Sequence, residues 1–199
     1  MILPDGFHDV PRGRVATVVT HLEMRARPAP RPCAAPEGYT LRRVEQPEPE
    51  WYRDLFLRVG GMDWLWFSRL RMSEEQLLAI LHDPGVQVFA LERDGLADGL
   101  LELDFRTPGD CEIAFFGVGP ALLGSTAGRF LMTRAIATAF DAGITRLHVH
   151  TCTLDHPRAL GFYLRSGFTA LRQQVEIQPD PRLTGDLPDT AAPQIPIFR

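Results

Sequence analysis

The sequence is poor in cysteine: Cys33, Cys111 and Cys152 are widely separated and form no CxxC pair. This argues against a disulfide framework and against a compact metal or redox motif. The chain also lacks an apolar run close to the length of about 18 residues that a membrane helix needs. Its N-terminus is interrupted by proline and lacks the apolar core of a signal peptide. With 21 basic and 25 acidic side chains, a net charge of -4 and no basic run, nucleic acid is not an expected partner. We therefore expect a cytoplasmic protein that binds neither nucleic acid nor membranes.

The chain does contain enough apolar material for a core, and much proline and glycine. Hydrophobic residues make up 45% of its 199 residues, with 17 glycines and 17 prolines. Prolines recur in residues 28–36 and 179–196 and predict extended connectors there. We accordingly divide the chain into an N-terminal strand and proline-rich connector (1–38), one domain (39–178) and a proline-rich C-terminal tail (179–199). The β-rich segment Val15–Met24 predicts an additional edge strand or hairpin.

The middle of the chain alternates between strand and helix patterns. Ser73 to Gln76 has capping-box spacing before a helix, and Gly60-Gly61 is expected to close the helix before it. Besides the capped helix, we predict helices at residues 50–59 and 157–166, and an amphipathic helix that contains residues 131–140 and ends at Gly143. We predict strands at residues 39–44, 86–92, 100–105, 111–118, 146–151 and 168–177. This order predicts an α/β fold around a mixed sheet.

A glycine-containing loop follows the predicted strand at residues 111–118. Val118 to Leu131 reads V-G-P-A-L-L-G-S-T-A-G-R-F-L and leads into a helix. Amides at a helix N-terminus lack intrahelical acceptors, and the helix dipole favours an anion, so a phosphate or pyrophosphate is the natural ligand. The same small residues would equally serve a tight turn that binds nothing.

A second motif, His156-Pro157-Arg158-Ala159-Leu160-Gly161-Phe162-Tyr163 followed by Ser166-Gly167-Phe168, stands at a fixed distance after the loop. Together the two segments resemble the GNAT superfamily of acyl-CoA-dependent N-acyltransferases, and the stretch from His150 to Pro157 is similar to a bacterial branch of it. The resemblance implies a mixed, mostly antiparallel central sheet flanked by about four helices, with an extra N-terminal strand and an extended C-terminal tail. It also implies direct acetyl transfer from acetyl-CoA, with no metal, to a primary amine of a small molecule or peptide. Edge strands in such a sheet allow a homodimer.

The resemblance also assigns residues to acetyl-CoA. The residues expected to bind it are Phe116, Gly117, Val118, Leu123, Gly124, Ser125, Thr126, Ala127, Gly128, His156 and Tyr163. Three of them depart from the superfamily pattern: Leu123 stands where Gln or Arg is usual, Thr126 where Gly is usual, and His156 where Asn is common. The Thr126 side chain adds a Cβ where backbone and phosphate normally approach closely, although its hydroxyl could donate to the phosphate.

The resemblance makes Tyr163 the acid that protonates the leaving thiolate; packing of its helix on the sheet is the simpler interpretation. The base is read from the strands. Strand alternation would place Glu112, Ala114 and Phe116 on one face, and a carboxylate in an apolar strand needs a partner or a raised pKa. Glu112 is therefore our first candidate for the base, and His150 the second because histidine titrates near neutrality.

The tryptophan-rich stretch between the first two predicted helices falls where the superfamily builds its acceptor pocket. Trp64 and Trp66 could stack on a ligand and Arg69 could pair with an acidic group, although core packing would explain the same aromatic residues.

Two other functional classes stay open. A metal enzyme could use His148 and His150, which share one strand face, with Cys152 or His156 as a third ligand. A non-catalytic acyl-CoA-binding or sensing module would fit the departures in the loop. An acyl-enzyme on Cys152 is a weaker alternative, because a buried cysteine is usually a small apolar residue.

Overall fold

The computed structural model describes residues 3–199 and has a single seven-stranded sheet at its centre. The strands are β1 (Arg14–Met24), β2 (Thr40–Val44), β3 (Val86–Arg93), β4 (Leu96–Asp104), β5 (Asp110–Val118), β6 (Arg146–Cys152) and β7 (Thr169–Pro179). Their order across the sheet is β2-β3-β4-β5-β6-β1-β7. The β5–β6 pair is parallel and the five other neighbouring pairs are antiparallel. The mixed, mostly antiparallel sheet is thus confirmed.

Helices cover both faces of the sheet. They are α1 (Pro49–Phe56), a π-helical turn (Leu57–Gly61), α2 (Met62–Trp64), α3 (Glu74–Leu81), a short 3-10 turn (Pro120–Leu122), α4 (Ala127–Asp141) and α5 (Ala159–Ser166). The predicted capping box is present: the Ser73 hydroxyl accepts from the Gln76 N–H, and the Gln76 side chain accepts from the Ser73 N–H. None of the helices within residues 3–199 is long and apolar enough to cross a membrane.

The first helix does not end at Gly60-Gly61, which corrects the sequence prediction. The backbone continues from α1 through the π-helical turn into α2, so the two glycines lie inside one helical stretch. Gly60 is required for packing, because a Cβ at this position would lie 2.0 Å from Cδ2 of Trp66. The backbone N–H of Trp66 donates a hydrogen bond to the Gly60 carbonyl oxygen. A Cβ at Gly117 would also meet Trp66, at 3.1 Å from Cη2. The two glycines therefore make room for one indole ring.

The N-terminal strand is not an edge strand or a separate hairpin. β1 lies between β6 and β7, pairing with both of them antiparallel. Leu22 and Met24 of β1 belong to the same core cluster as Leu131 of α4. Local β propensity predicts the strand correctly, but its partners lie more than a hundred residues along the chain, beyond the reach of a local pattern.

A β-bulge in β5 changes which side chains share a face. Phe115 pairs with Glu102 and Ile113 with Leu103, which leaves Ala114 as the extra residue. Alternation is reset there, so Phe115 packs against α1 and Phe116 against α4 and α5. The prediction that Glu112, Ala114 and Phe116 share one face is therefore wrong.

The C-terminal tail has no helix or strand and folds back onto the domain. Asp180 and Arg182 form an almost fully buried ion pair at 2.8 Å, and Arg182 also donates to the carbonyl oxygens of Ala191, Ala192 and Ile195. The tail in turn packs on α2, where Ala192 N–H donates to the Met62 carbonyl oxygen. Its side chains form a small core with Leu65. The tail thus supports the tryptophan-rich segment from behind.

The contact between Gly60 and Trp66 predicts a stability effect. We expect Gly60→Ala to lower the free energy of unfolding by about 2 kcal/mol, because a methyl group must displace a packed indole. Urea denaturation followed by circular dichroism measures this. Gly128→Ala is the matched control, since its Cβ would meet its nearest neighbour, Phe162, at an ordinary 3.9 Å. Equal stability of the two variants would contradict the packing role of Gly60.

Candidate active site

A cavity of about 1030 Å³ opens between β5 and β6 and runs from the glycine-containing loop to the tryptophan-rich segment. Within residues 3–199, β5 and β6 pair at three positions only, ending with Glu112 opposite His148. Beyond that pair the two strands separate, and both line the cavity. The inner edge of β5 therefore offers backbone N–H and C=O groups to a ligand rather than to β6.

The loop before α4 forms one end of this cavity. Gly124 has φ +77°, a left-handed conformation that favours glycine. Thr126 has φ −79° and ψ −6°, which any residue adopts, so the side chain that replaces the usual glycine causes no backbone strain. Leu123, another departure from the pattern, is about half exposed and also lines the cavity.

The loop residues differ in what they offer a ligand. The Ser125 hydroxyl donates to the Leu122 carbonyl oxygen at 2.7 Å and accepts from the Ala127 N–H at 3.1 Å. Ala127 is fully buried and does not line the cavity, so this predicted acetyl-CoA contact has its amide engaged by the loop itself. The other predicted residues of this group do line the cavity: Phe116, Gly117, Val118, Leu123, Gly124, Ser125, Thr126, Gly128, His156 and Tyr163.

Arginines surround the loop end of the cavity, a feature that sequence reasoning missed. The lining there includes Arg31, Arg129, Arg158 and Arg165, whereas Arg27 lies at the other end of α4, where it pairs with Asp141 at 2.6 Å. Arg31 comes from the proline-rich connector, which lies across α4 and α5, and it donates to the Arg165 carbonyl oxygen at 2.8 Å. These arginines are not consecutive in the sequence, because they come from three separate segments that the fold brings together. The end of the cavity next to the α4 N-terminus is therefore positively charged.

Tyr163 lies on α5 at the middle of the cavity. Its side chain is nearly buried and packs edge-to-face on Phe168 and near Phe116 and Phe162. Burial raises the pKa of Tyr163 well above its usual value, so the phenol keeps its proton through the neutral and alkaline range. This group can donate a hydrogen bond or a proton, and it cannot serve as an anion at ordinary pH.

Glu112 and His150 come together, although Glu112 itself does not line the cavity. The Glu112 Oε1 lies 3.5 Å from the His150 Nδ1, and His150 lines the cavity with about half of its side chain exposed. The hydrogen bond with His150 lowers the pKa of Glu112, and the same interaction raises the pKa of His150. His148, on the same strand face, has its pKa lowered by burial instead. The geometry thus gives His150 the exposed position and Glu112 the supporting one.

Trp64 and Trp66 line the opposite end of the cavity. The Trp64 ring packs edge-on against His156, with ring centroids 5.1 Å apart. Trp66 donates from Nε1 to Asp155, which also accepts from the Thr151 hydroxyl and the Cys152 N–H. Sequence reasoning missed Asp155, although an aspartate between a strand and a proline-started helix is a common turn residue.

Arg69 does not line the cavity, which corrects its predicted role. Its guanidinium lies beneath the sheet, 4.9 Å from the centre of the Phe115 ring, and pairs with Glu102 at 2.5 Å. Glu102 is fully buried and also accepts from the Tyr52 hydroxyl. Glu102 is flanked by leucines in a strand that is buried on both faces. The leucines on either side were the signal in the sequence that this carboxylate is buried.

The two alternative chemistries gain little from the geometry. Within residues 3–199, no three histidine, cysteine, aspartate or glutamate side chains lie close enough together to hold a metal ion. The pair His148 and His150 therefore finds no third ligand in that part of the chain. Burial raises the pKa of the Cys152 thiol, which reduces the thiolate fraction that a nucleophile needs.

Comparison with known proteins extends these observations. Among curated proteins, the mycothiol acetyltransferase of Jonesia denitrificans is 38% identical over 77 residues, covering 38% of this chain and 23% of that protein. A GCN5-related N-acetyltransferase from Sphaerobacter thermophilus superposes with a TM-score of 0.63 at 15% identity, over 81% of this chain and 51% of that one. The ribosomal-protein-S18-alanine N-acetyltransferase of Escherichia coli gives a TM-score of 0.55 at 14% identity, over 71% and 94%.

The solved structures share the fold, and this chain spans about half of the first one and less than a quarter of the curated relative. The model of the acetyltransferase (GNAT) family matches residues 45–168, more than half of the chain. That range contains β3 to β6, the glycine-containing loop and Tyr163. The protein therefore belongs to the GNAT family of acetyltransferases.

Proposed function

We propose that the protein is an N-acetyltransferase that moves an acetyl group directly from acetyl-CoA to a primary amine. The observation that carries the proposal is the single cavity that joins an anion-binding loop, a buried tyrosine and an exposed histidine. Direct transfer needs these three: a site for the donor, an acid for the leaving thiolate and a base for the ammonium.

The cavity fits acetyl-CoA chemically. The α4 N-terminus and the four arginines near it suit the phosphate groups, and the open edge of β5 suits the amide groups of the pantetheine arm. Phe116 and Phe162 supply an apolar wall between these two regions. When bound, acetyl-CoA supplies the thioester that reacts. The chain itself needs only to hold that thioester near Tyr163.

In this proposal Tyr163 is the acid. Its buried phenol would give a proton to the sulfur as the carbon–sulfur bond breaks and the new carbon–nitrogen bond forms. The aromatic packing fixes the ring, and the raised pKa keeps the phenol protonated while making it a weaker acid, so it gives up its proton only after negative charge has built up on the sulfur. Asp155, at the same end of α5, adds a negative charge that reinforces this direction of the shift.

His150 is the base, with Glu112 as its positioning residue. Glu112 contacts Nδ1 of His150, which leaves Nε2 to accept a proton from the acceptor ammonium before the nitrogen attacks the thioester. The sequence prediction ranked Glu112 above His150; the proposed order is the reverse, because His150 lines the cavity and Glu112 does not.

The acceptor end favours a cationic or aromatic-bearing amine. Trp64 and Trp66 present ring faces and edges, while Asp155 and Glu176 place carboxylates in the same lining. Both a small-molecule amine and a peptide amine meet this description. A peptide acceptor has a precedent in one structural neighbour, the ribosomal-protein-S18-alanine N-acetyltransferase of Escherichia coli.

The proposal is tested by binding and turnover together. We expect acetyl-CoA to raise the melting temperature of the protein and to release CoA in the presence of some amines from a panel of polyamines, aminoglycosides, amino-acid amides and alanine-started peptides. The sequence contains no lysine, so the protein adds no lysine amines of its own to this assay. Tyr163→Phe keeps the ring packing and should lower kcat by about 10²-fold with unchanged acetyl-CoA affinity.

Each other result has a definite meaning. Binding of acetyl-CoA without turnover on any amine would favour the sensing module. Full activity of Tyr163→Phe would remove the tyrosine from the mechanism. No binding at millimolar acetyl-CoA would overturn the proposal itself.

The assignment of the base predicts a pH effect. The pKa of His150 is raised, so kcat/KM should climb with pH as the imidazole loses its proton, with a midpoint above the usual histidine value of about 6.5. Glu112→Gln removes the stabilising carboxylate, and the midpoint should move to lower pH. His150→Gln should lose about 10²-fold in kcat/KM. One acceptor is used throughout, so that its own titration is common to all variants.

The neighbouring His148 is the matched control. It lies two residues away on the same strand face but does not line the cavity, so His148→Gln should keep both its rate and its pH midpoint. An unchanged midpoint in Glu112→Gln would contradict the positioning role of Glu112. Equal losses of kcat/KM in His148→Gln and His150→Gln would instead favour the alternative in which both histidines bind one metal ion.

A further inference from the structure

β7 forms one edge of the sheet, and its outer side has no partner strand within residues 3–199. It is eleven residues long, and its first nine residues are all exposed. Alternate residues of such a strand direct backbone N–H and C=O groups away from the sheet, ready to pair with another strand. The strand therefore offers a long edge for pairing, which is regular from Arg172 to Pro179 and bulged at Leu171.

This edge is protected only by two charged residues of opposite sign, Arg172 and Glu176, and by the bulge at Leu171 near its start. Within β7 the single proline is its last residue, Pro179, and no lysine is present. Val175 and Ile177 are 50% and 43% exposed, and Val18 of the neighbouring strand lies directly opposite Val175 and is 37% exposed. Exposed edges of monomeric proteins are normally short, charged or bulged. An apolar sheet face continued to an open edge instead indicates an interaction surface.

The charges of β7 select a second copy of this chain as the partner. Arg172 and Glu176 lie on the same face of the strand, each two residues from Gln174. A two-fold axis perpendicular to the sheet places the same face of both copies on the same side of the joined sheet. Opposite residues then point to the same face, so the axis must pass at one residue of β7, which lies opposite its own copy. Centred at Gln174, it sets Arg172 opposite Glu176 of the partner subunit, twice per dimer. Centred at Gln173 or Val175, it does not.

We propose that the protein forms a two-fold homodimer in which β7 pairs antiparallel with β7 of a second copy about Gln174. The two sheets then become one sheet of fourteen strands. On the face with Val175 and Ile177, the apolar patch continues across the axis. On the other face, Glu176 and Gln178 line the cavity, so Arg172 of the partner subunit lies beside its acceptor end.

Oligomeric state can be measured without any acceptor, so failure of this proposal is distinct from failure of the acetyltransferase assignment. We expect sedimentation equilibrium to show a monomer–dimer system. Arg172→Glu or Glu176→Arg alone places like charges opposite each other and should raise the dimer dissociation constant about tenfold or more. The double variant restores opposite charges and should recover most of the wild-type affinity. All three variants change exposed side chains, and circular dichroism verifies their folding.

A cross-linking experiment tests the register. Gln174→Cys places a thiol beside its own copy, so a short bis-maleimide should join two chains at yields above those of the wild-type protein with its native cysteines. Gln178→Cys is the matched control, because position 178 would face residue 170 of the second copy instead. A monomer at every concentration, or a dimer that ignores both single charge reversals, would overturn the proposal.

Discussion

The separation of β5 from β6 after Glu112 and His148 is the constraint on which the rest of the structure depends. A sheet normally satisfies its backbone groups by continuous pairing, and a gap in the middle costs hydrogen bonds that something else must replace. Here the gap is held open from both sides. The bulge at Ala114 bends β5, and β1 holds β6 in place from its far side. The open backbone edge is available to a ligand because the outer edges of both strands are paired.

Two buried polar networks keep the walls of this gap rigid. The pair of Arg69 and Glu102, with Tyr52, fastens the segment after α2 to the centre of the sheet. Arg182 performs the same task for the tail by gathering three carbonyl oxygens around one guanidinium. Both groups are charged, buried and paired with an opposite charge, although the Nε of Arg69 has no hydrogen-bond partner among the described residues. Trp66 connects the segment after α2 to the loop after β6 by donating a hydrogen bond to Asp155.

Features coded within a few neighbouring residues could be predicted from the sequence. The capping box at Ser73, the three successive strands β3, β4 and β5, and the loop before α4 each depend on local spacing, and the structure contains all of them. The two motifs that frame Tyr163 also identified the family, because their order and spacing are specific. The cavity then places most of the expected acetyl-CoA residues together.

The wrong sequence predictions have a common cause: each depends on a contact that the local sequence pattern does not reveal. The extra residue at Ala114 leaves the apolar run of β5 unbroken, so simple alternation assigned Phe116 to the wrong face. Arg69 looked available for a ligand because its partner, Glu102, lies on a strand thirty residues away along the chain. Gly60 looked like a helix terminator because the indole that needs its missing side chain follows six residues later.

The central position of β1 also has a consequence for how the chain folds. Arg14 pairs with Pro179 and Val19 with Cys152, so β1 finds both of its partner strands only after more than a hundred further residues have been synthesised. Closing such long loops is slow and must precede any gain from the pairing. The pairing of β6, which carries His150, with β1 therefore forms later than the local pairings among β3, β4 and β5. The cavity wall that β6 supplies is among the later parts of the described chain to assemble.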